Sequence, residues 1–327
     1  MRYDLTLHDI EQARRRVMSY IRQTPLLPMP LLHTDLPSQL RLKLENLQVS
    51  GSFKARGAFN NLLQFTPAQR KRGIIVASGG NHGLAIAYAA ATLDIPATVY
   101  LPTTASADRA ERIAAWGAQV QRYGDNPSDA LSYAQERAEQ EQRLYVHPFD
   151  AERTLHGTGT LGLELLDDVP ELDCVLIAIG GGGLISGMSA AIKQRRPDVH
   201  IIGVEPVGAA KMQASLQAQT VVELPQITTI ADTLAPRVVS ERTLALTSRY
   251  VDDVVLVEDS AMIEAMRWLW TECNQLVEPS GAAVIAAIQS GVAKIDRYRH
   301  PVALICGGNA AAESVFSLYQ LQTQQKV

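Results

Sequence analysis

Along this chain, short apolar runs alternate with stretches in which apolar residues recur every three or four positions. Ile10, Ala13, Val17 and Ile21 fall on one face, which predicts a first helix with Thr6 as its cap and Asp9 at the reciprocal capping-box position. That helix is expected to stop before Thr24-Pro25, because the residue ahead of a proline is pushed out of the α region. Leu40, Leu42 and Leu44 alternate with polar residues, as in a half-buried strand. Gly51 and Ser52 read as a turn and an N-cap, after which Phe53, Ala55, Ala58, Phe59 and Leu62 continue at helical spacing.

From there the pattern becomes a series of strand–helix units. Strands are expected over 73–77, 97–101, 119–123 and 144–147, with helices over 84–93, 107–116 and 128–142 between them. A second run opens with a helix around 160–166. The continuous apolar stretch 174–179 reads as a strand buried on both faces of a parallel sheet. A helix through Ile192, strands over 201–204 and 254–257, a helix over 260–273, another after Gly281 and a strand over 302–306 complete it. Residues 219–249 show the least regular pattern and receive no element. Strands alternating with helices predict a mostly parallel α/β sheet, or two of them.

A chain of 327 residues with 46% hydrophobic and 20% charged positions has the make-up of an ordinary soluble globular protein. Its net charge of −4 leaves no basic footprint, so nucleic acid is not an expected partner. Cys174, Cys273 and Cys306 are odd in number and far apart, which argues for a reducing compartment. The first eleven residues carry Asp4, Asp9 and Glu11 and do not read as a secretory signal. No apolar run approaches the roughly 18 residues of a membrane span. The expectation is a cytoplasmic protein without a membrane partner.

Lys54 sits in the first turn of its helix, where the macrodipole disfavours a protonated amine. A neutral lysine is the form that makes a Schiff base, although a lysine in a first turn is more often a solvated surface charge. Gly180, Gly181, Gly182 and Gly183 join the buried strand to a helix, and four consecutive glycines cost more chain entropy than a plain turn warrants. Backbone N–H groups and the helix dipole there suit a phosphate. Ser78-Gly79-Gly80-Asn81-His82-Gly83 is a second glycine loop, able to bind a carboxylate or to serve as a simple capped turn. Cys306-Gly307-Gly308-Asn309 is a third. No metal-ligand spacing and no GxSxG elbow is present. One lysine and several anion-binding loops suit an aldehyde cofactor bearing a phosphate, pyridoxal phosphate. A nicotinamide oxidoreductase stays open beside it, since Glu205 lies near where a ribose-binding carboxylate would be, although Ser186 replaces the third glycine of the dinucleotide fingerprint.

The motifs, in their order along the chain, resemble the fold-type II pyridoxal-phosphate enzymes, and within them the threonine/serine dehydratases and serine racemase. The resemblance runs from Asp9 to Asn309 and rests on Thr24-Pro25-Leu26, Ser52-Phe53-Lys54-Ala55-Arg56-Gly57, the 78–83 loop, His147-Pro148, Gly157-Thr158-Gly159-Thr160, the 180–183 loop, Thr229-Ile230-Ala231-Asp232, Glu278-Pro279-Ser280 and the 306–309 loop. It implies two parallel-sheet open α/β domains like those of the tryptophan synthase β-subunit, with a large cofactor-binding domain over 1–70 plus 146–327 and a small mobile one over 71–145. It implies Lys54 as the Schiff-base lysine, Phe53 beside the ring, Asn81 on the ring 3′-oxygen, the four glycines with Leu184 on the phosphate, and Cys306 against the pyridine nitrogen. Ser78, Asn81 and His82 would face the substrate carboxylate. The implied reaction is elimination from a small β-hydroxy amino acid, with L-threonine and L-serine the default substrates, by a homodimer. A 3-hydroxyaspartate dehydratase, an amino-acid racemase and a β-replacement enzyme are the alternatives within the family.

Three departures from the family stand out. Gly79 takes the position of serine racemase's second serine, which favours one-sided elimination over racemisation. Lys211, six residues after Glu205, takes the position of an aspartate that binds metal in some relatives, so no metal is expected. Phe149 puts an apolar ring where a relative has a polar residue, which leaves substrate choice open. The chain ends soon after the last strand–helix unit, so no allosteric control by a C-terminal regulatory domain is expected.

Overall fold

The computed structural model describes residues 3–28, 36–37 and 39–309. Ten strands and twelve α-helices are found among them. In chain order they are α1 (Leu7–Val17), β1 (Leu26–Pro28), β2 (Arg41–Leu44), α2 (Lys54–Leu62), α3 (Pro67–Arg72), β3 (Ile74–Ala77), α4 (Asn81–Thr92), β4 (Ala97–Leu101), α5 (Ala107–Ala114), β5 (Gln119–Arg122), α6 (Pro127–Gln140) and β6 (Leu144–Tyr145). They continue as α7 (Glu152–Asp168), β7 (Cys174–Ala178), α8 (Gly183–Arg195), β8 (His200–Pro206), α9 (Lys211–Ala218), α10 (Glu241–Tyr250), β9 (Asp253–Val257), α11 (Asp259–Cys273), α12 (Pro279–Gln289) and β10 (Pro301–Ile305).

The strands form two sheets. A six-stranded sheet has the order β1-β2-β10-β7-β8-β9, all neighbours parallel except the β1–β2 edge pair. A wholly parallel four-stranded sheet has the order β5-β4-β3-β6. The chain leaves the larger sheet after β2, builds the smaller one and returns with β7. The central strands β7 and β10 are buried at every position, as expected of parallel strands covered by helices on both faces. The larger core gathers β7, β8, β10 and α12, and the smaller gathers β3, β4 and α4. Ala55, Ala58, Phe59 and Leu62 of α2 join the smaller core, so the helix that begins at Lys54 packs where the two sheets meet.

Several expectations need correction. Helix α1 ends at Val17, seven residues ahead of Thr24, and Ile21 packs beyond it on the smaller core. Thr6 caps it by accepting from the Asp9 N–H, but the Asp9 carboxylate takes the Thr6 hydroxyl, not the Thr6 N–H that a reciprocal box requires. Lys43, expected on the polar face of its strand, is fully buried. Its Nζ donates to Glu164 and Asp168, each at 2.6 Å, and to the Thr24 carbonyl at 2.7 Å. Phe53, not Ser52, is the residue that precedes α2. Helix α7 starts at Glu152, ahead of the expected Thr160, and α9 and α10 had no counterpart in the pattern.

Candidate active site

The turn before α2 is made by Ser50 and Gly51, both with positive φ, at 60° and 76°. A Cβ on Gly51 would stand 2.3 Å from Asn309 Oδ1, so the left-handed turn and the close approach both require glycine. This turn is laced to the third glycine loop: the Phe53 N–H donates to the Cys306 carbonyl at 3.1 Å and the Gly308 N–H to the Gly51 carbonyl at 3.0 Å. Lys54 therefore emerges from a fixed backbone, in the first turn of its helix.

The Lys54 amine donates to the Pro148 carbonyl at 2.7 Å and lies 5.1 Å from the centre of the Phe53 ring. Burial draws its pKa down to about 8, with Cys306 and Glu278 opposing the shift. Lys54 as a whole is half-buried. The acceptor carbonyl is held by His147, whose Nδ1 accepts from the N–H groups of Phe149 and Asp150 at 3.3 and 3.0 Å. Burial lowers the His147 pKa to about 4, which keeps that nitrogen an acceptor.

Residues 180–183 run from the end of β7 into the first turn of α8, whose leading N–H groups have no partner within the helix. Gly182 has φ of +88°, and a Cβ on Gly181 would fall 2.3 Å from the Phe149 ring. One on Gly183 would fall 2.8 Å from the Phe149 carbonyl, and one on Gly180 would fall 2.9 Å from the Thr233 carbonyl. Only glycine fits this cradle, whose donors are backbone N–H groups at a positive helix end. That donor set fits a phosphate.

Asn81 opens α4 and is buried, its Nδ2 donating to Glu278 Oε1 at 2.7 Å and its Oδ1 accepting from Asn309 at 2.7 Å. Glu278 also accepts from the Ser280 hydroxyl. Burial pushes the Glu278 pKa up, against the hydrogen bonds from Ser280 and Asn81 that favour the carboxylate. Among the described residues, Glu278 Oε2 and Ser52 Oγ are buried without a hydrogen-bond partner, as is expected of groups that meet a ligand. The Cys306 thiol donates towards the Ser280 carbonyl at 3.4 Å, and burial raises its pKa to about 12, so it stays neutral.

The His82 ring is turned into the interior. Its side chain is buried, and Nε2 lies 2.9 Å from the Val146 carbonyl, which makes Nε2 the protonated nitrogen. Burial first, then Lys54, lowers its pKa to about 3. The neutral ring is committed through Nε2 to the Val146 carbonyl. Ser78 stays partly exposed in the loop beside Asn81. Pro148, Asn309 and Glu278 fall inside motifs that carry the resemblance, but their hydrogen-bond partners, 94, 228 and 197 residues away, meet them only in the folded chain.

The nicotinamide alternative fails at Glu205. That carboxylate is wholly buried and faces Lys211 and the N–H groups of Met212 and Gln213 at 3.0, 3.0 and 2.9 Å. Nothing of it is left for a ribose.

The lysine, the glycine cradle and the two largely parallel sheets define an enzyme built around a phosphorylated aldehyde. The family of pyridoxal-phosphate dependent enzymes matches residues 17–307, and the chain belongs to it. It is 37% identical over 310 residues to the catabolic L-threonine dehydratase of Staphylococcus aureus (strain N315), covering 93% of this chain and 89% of that one. Maize serine racemase superposes with a TM-score of 0.90 at 30% identity, covering 99% of this chain and 100% of that one. A threonine deaminase from T.th. superposes with a TM-score of 0.84 at 34% identity, covering 93% of this chain and 98% of that one. No helix among the described residues is long and apolar enough to cross a membrane.

Proposed function

We propose that this enzyme dehydrates and deaminates a small β-hydroxy amino acid, L-threonine foremost and L-serine with it, to a 2-oxo acid and ammonia. The observation that carries the reading is the Lys54 amine, drawn towards its neutral form at a helix start beside the glycine cradle. The substrate class follows the relatives named for threonine dehydration and deamination.

When bound, pyridoxal phosphate supplies the aldehyde and the electron sink for negative charge at the substrate Cα. In this reading the N–H groups of residues 180–184 hold the phosphate, Phe53 packs against the ring, and Asn81 donates to the ring oxygen with its second Nδ2 proton. Cys306 offers the ring nitrogen a neutral thiol, consistent with its raised pKa. Ser78 and the N–H groups at the start of α4 hold the substrate carboxylate. Lys54, as the free amine, takes the Cα proton and passes it to the departing β-hydroxyl, which leaves as water; the enamine product becomes an imine, and water then displaces its nitrogen as ammonia. Residues 71–145 act as a small mobile domain whose closure keeps water out during proton transfer. The protein works as a homodimer in the cytoplasm.

Racemisation is the weaker reading. It needs an acid/base on the ring face opposite Lys54, and residue 79, the family position for it, is glycine. The test is incubation of the purified enzyme with L-threonine or L-serine and assay for 2-oxo acid, ammonia and the D-amino acid. Release of 2-oxo acid and ammonia, reduced roughly 10²–10⁴-fold or more in Lys54→Ala, is expected. D-isomer as the main product, or a Lys54→Ala protein as active as the native one, would overturn the proposal.

A further inference from the structure

The side chain of Lys211, at the start of α9, is fully buried inside a cage of oxygens. Its Nζ donates to the backbone carbonyls of Ile179 at 3.2 Å, Ala209 at 2.9 Å and Leu234 at 3.0 Å. Glu205 Oε1 completes the set at 3.0 Å. The Glu205 carboxylate is fixed from behind by the N–H groups of Met212 and Gln213. Three carbonyls and a carboxylate converging on one point make the oxygen donor set that a hard metal ion takes. Here an ammonium occupies the centre.

Segments that carry the cage border the glycine loop. Ile179 directly precedes Gly180. Leu234 follows Thr233, whose carbonyl comes within 2.9 Å of where a Gly180 Cβ would stand. Ala209 leads from β8 into α9, and the next residue after the lysine, Met212, packs 2.8 Å from where a Gly182 Cβ would stand. Without a cation, the carboxylate and the three carbonyl dipoles would face one another in a dry interior, and the segments carrying them would separate. Burial lowers the Lys211 pKa and Glu205 opposes the shift, so the ammonium is held by the four oxygens around it and not by its surroundings at large.

Where the family resemblance implies a divalent-ion site, the residues here do not fit one. The centre is filled by Nζ, and no group of three His, Cys, Asp or Glu side chains among the described residues could hold a metal. We propose that Lys211 is a tethered internal cation, a positioning residue that holds the glycine loop in place of an inorganic ion. The native enzyme then needs no added cation, and removal of the lysine side chain makes it cation-dependent. The inference rests on the glycine loop as the cofactor's phosphate seat, and no chemical step passes through Lys211.

The test uses the holoenzyme, stripped with a chelator and exchanged into tetramethylammonium buffer. Cofactor absorbance, melting temperature and turnover are all expected to match the untreated enzyme, and added magnesium, calcium or potassium is expected to leave them unchanged. Loss on stripping, restored by any of these ions, would overturn the proposal. In Lys211→Ala the cofactor should dissociate roughly tenfold or more faster in tetramethylammonium, the scale on which supporting residues act. Ammonium or potassium should restore both its retention and the melting temperature. In Lys211→Met, which fills the space without charge, the same loss should appear without rescue. Native-like retention in Lys211→Met, or an alanine variant that ammonium and potassium leave unimproved, would contradict the role. An alanine variant that fails to fold leaves the methionine variant and the stripping experiment to decide. A native protein that takes up no pyridoxal phosphate would instead overturn the proposed function, while melting temperatures would still report on the cage.

Discussion

Burial and position in the helix act on Lys54 in the same direction, each disfavouring the ammonium. With a pKa of about 8, the amine is mostly protonated at pH 7 and mostly free above pH 8. Only the free amine attacks an aldehyde, so uptake of pyridoxal phosphate by the apo-enzyme should quicken as pH rises and level off above about 8. A stopped-flow series across pH 6–10 checks this, and a midpoint near that of an ordinary lysine would contradict it. Gly79 offers a second test at this scale. A Cβ there would meet Leu101 at 3.4 Å and Arg109 at 3.8 Å, both ordinary contacts, and its φ is not in the left-handed region. Gly79→Ser should therefore fold with an unchanged melting temperature and add measurable D-isomer formation; a collapsed melting temperature would show that the glycine is structural. The placement of Lys54 and the four glycines was legible in the sequence because it is local, a residue type at the start of a helix. The inward turn of the His82 ring was not legible, because its partner Val146 lies 64 residues away.

At the scale of elements, the strand–helix alternation was readable because buried parallel strands are continuous apolar runs. Helix α7 was half hidden by Gly157, Gly159 and Gly162, which look like helix breakers. Their reason is packing: a Cβ on Gly157 would stand 2.6 Å from the Arg56 carbonyl, and one on Gly162 would stand 2.8 Å from the Met188 carbonyl. Close approach to α2 and α8 outweighs the propensity cost of about 1 kcal/mol per glycine. The buried pairs were invisible for another reason. Lys43 and Glu164 are 121 residues apart and Arg56 and Glu164 are 108 apart, so only the folded chain joins them. Removing Lys43 leaves Glu164 and Asp168 short of a partner in the interior, and Lys43→Ala should cost about 3–5 kcal/mol. Chemical denaturation measures it, and a loss below about 1 kcal/mol, the scale of an exposed pair, would contradict the account. Gly181→Ala drives a methyl group into the Phe149 ring and should cost about 1–3 kcal/mol of loop distortion, read as weaker cofactor binding. Native affinity in that variant would remove the cradle argument.

For the whole molecule, the decisive feature is that α2, the 78–83 loop and the 306–309 loop meet where the two sheets adjoin. Arg112 of α5, on the smaller sheet's side, donates to Asn309 O at 2.7 Å and Oδ1 at 2.6 Å, and Asn309 donates in turn to Asn81. Arg109, one turn earlier, pairs with Asp232. The Arg109 pair is partly exposed, and such pairs contribute about 0–1 kcal/mol. All of these contacts serve one claim, that cofactor chemistry is anchored at Lys54. The direct measurement is hydride reduction of the holoenzyme followed by proteolysis and mass spectrometry. The account requires the pyridoxyl group on the peptide carrying Lys54, and none on those carrying Lys43 or Lys211. A label on either buried lysine, or none at all, would contradict it.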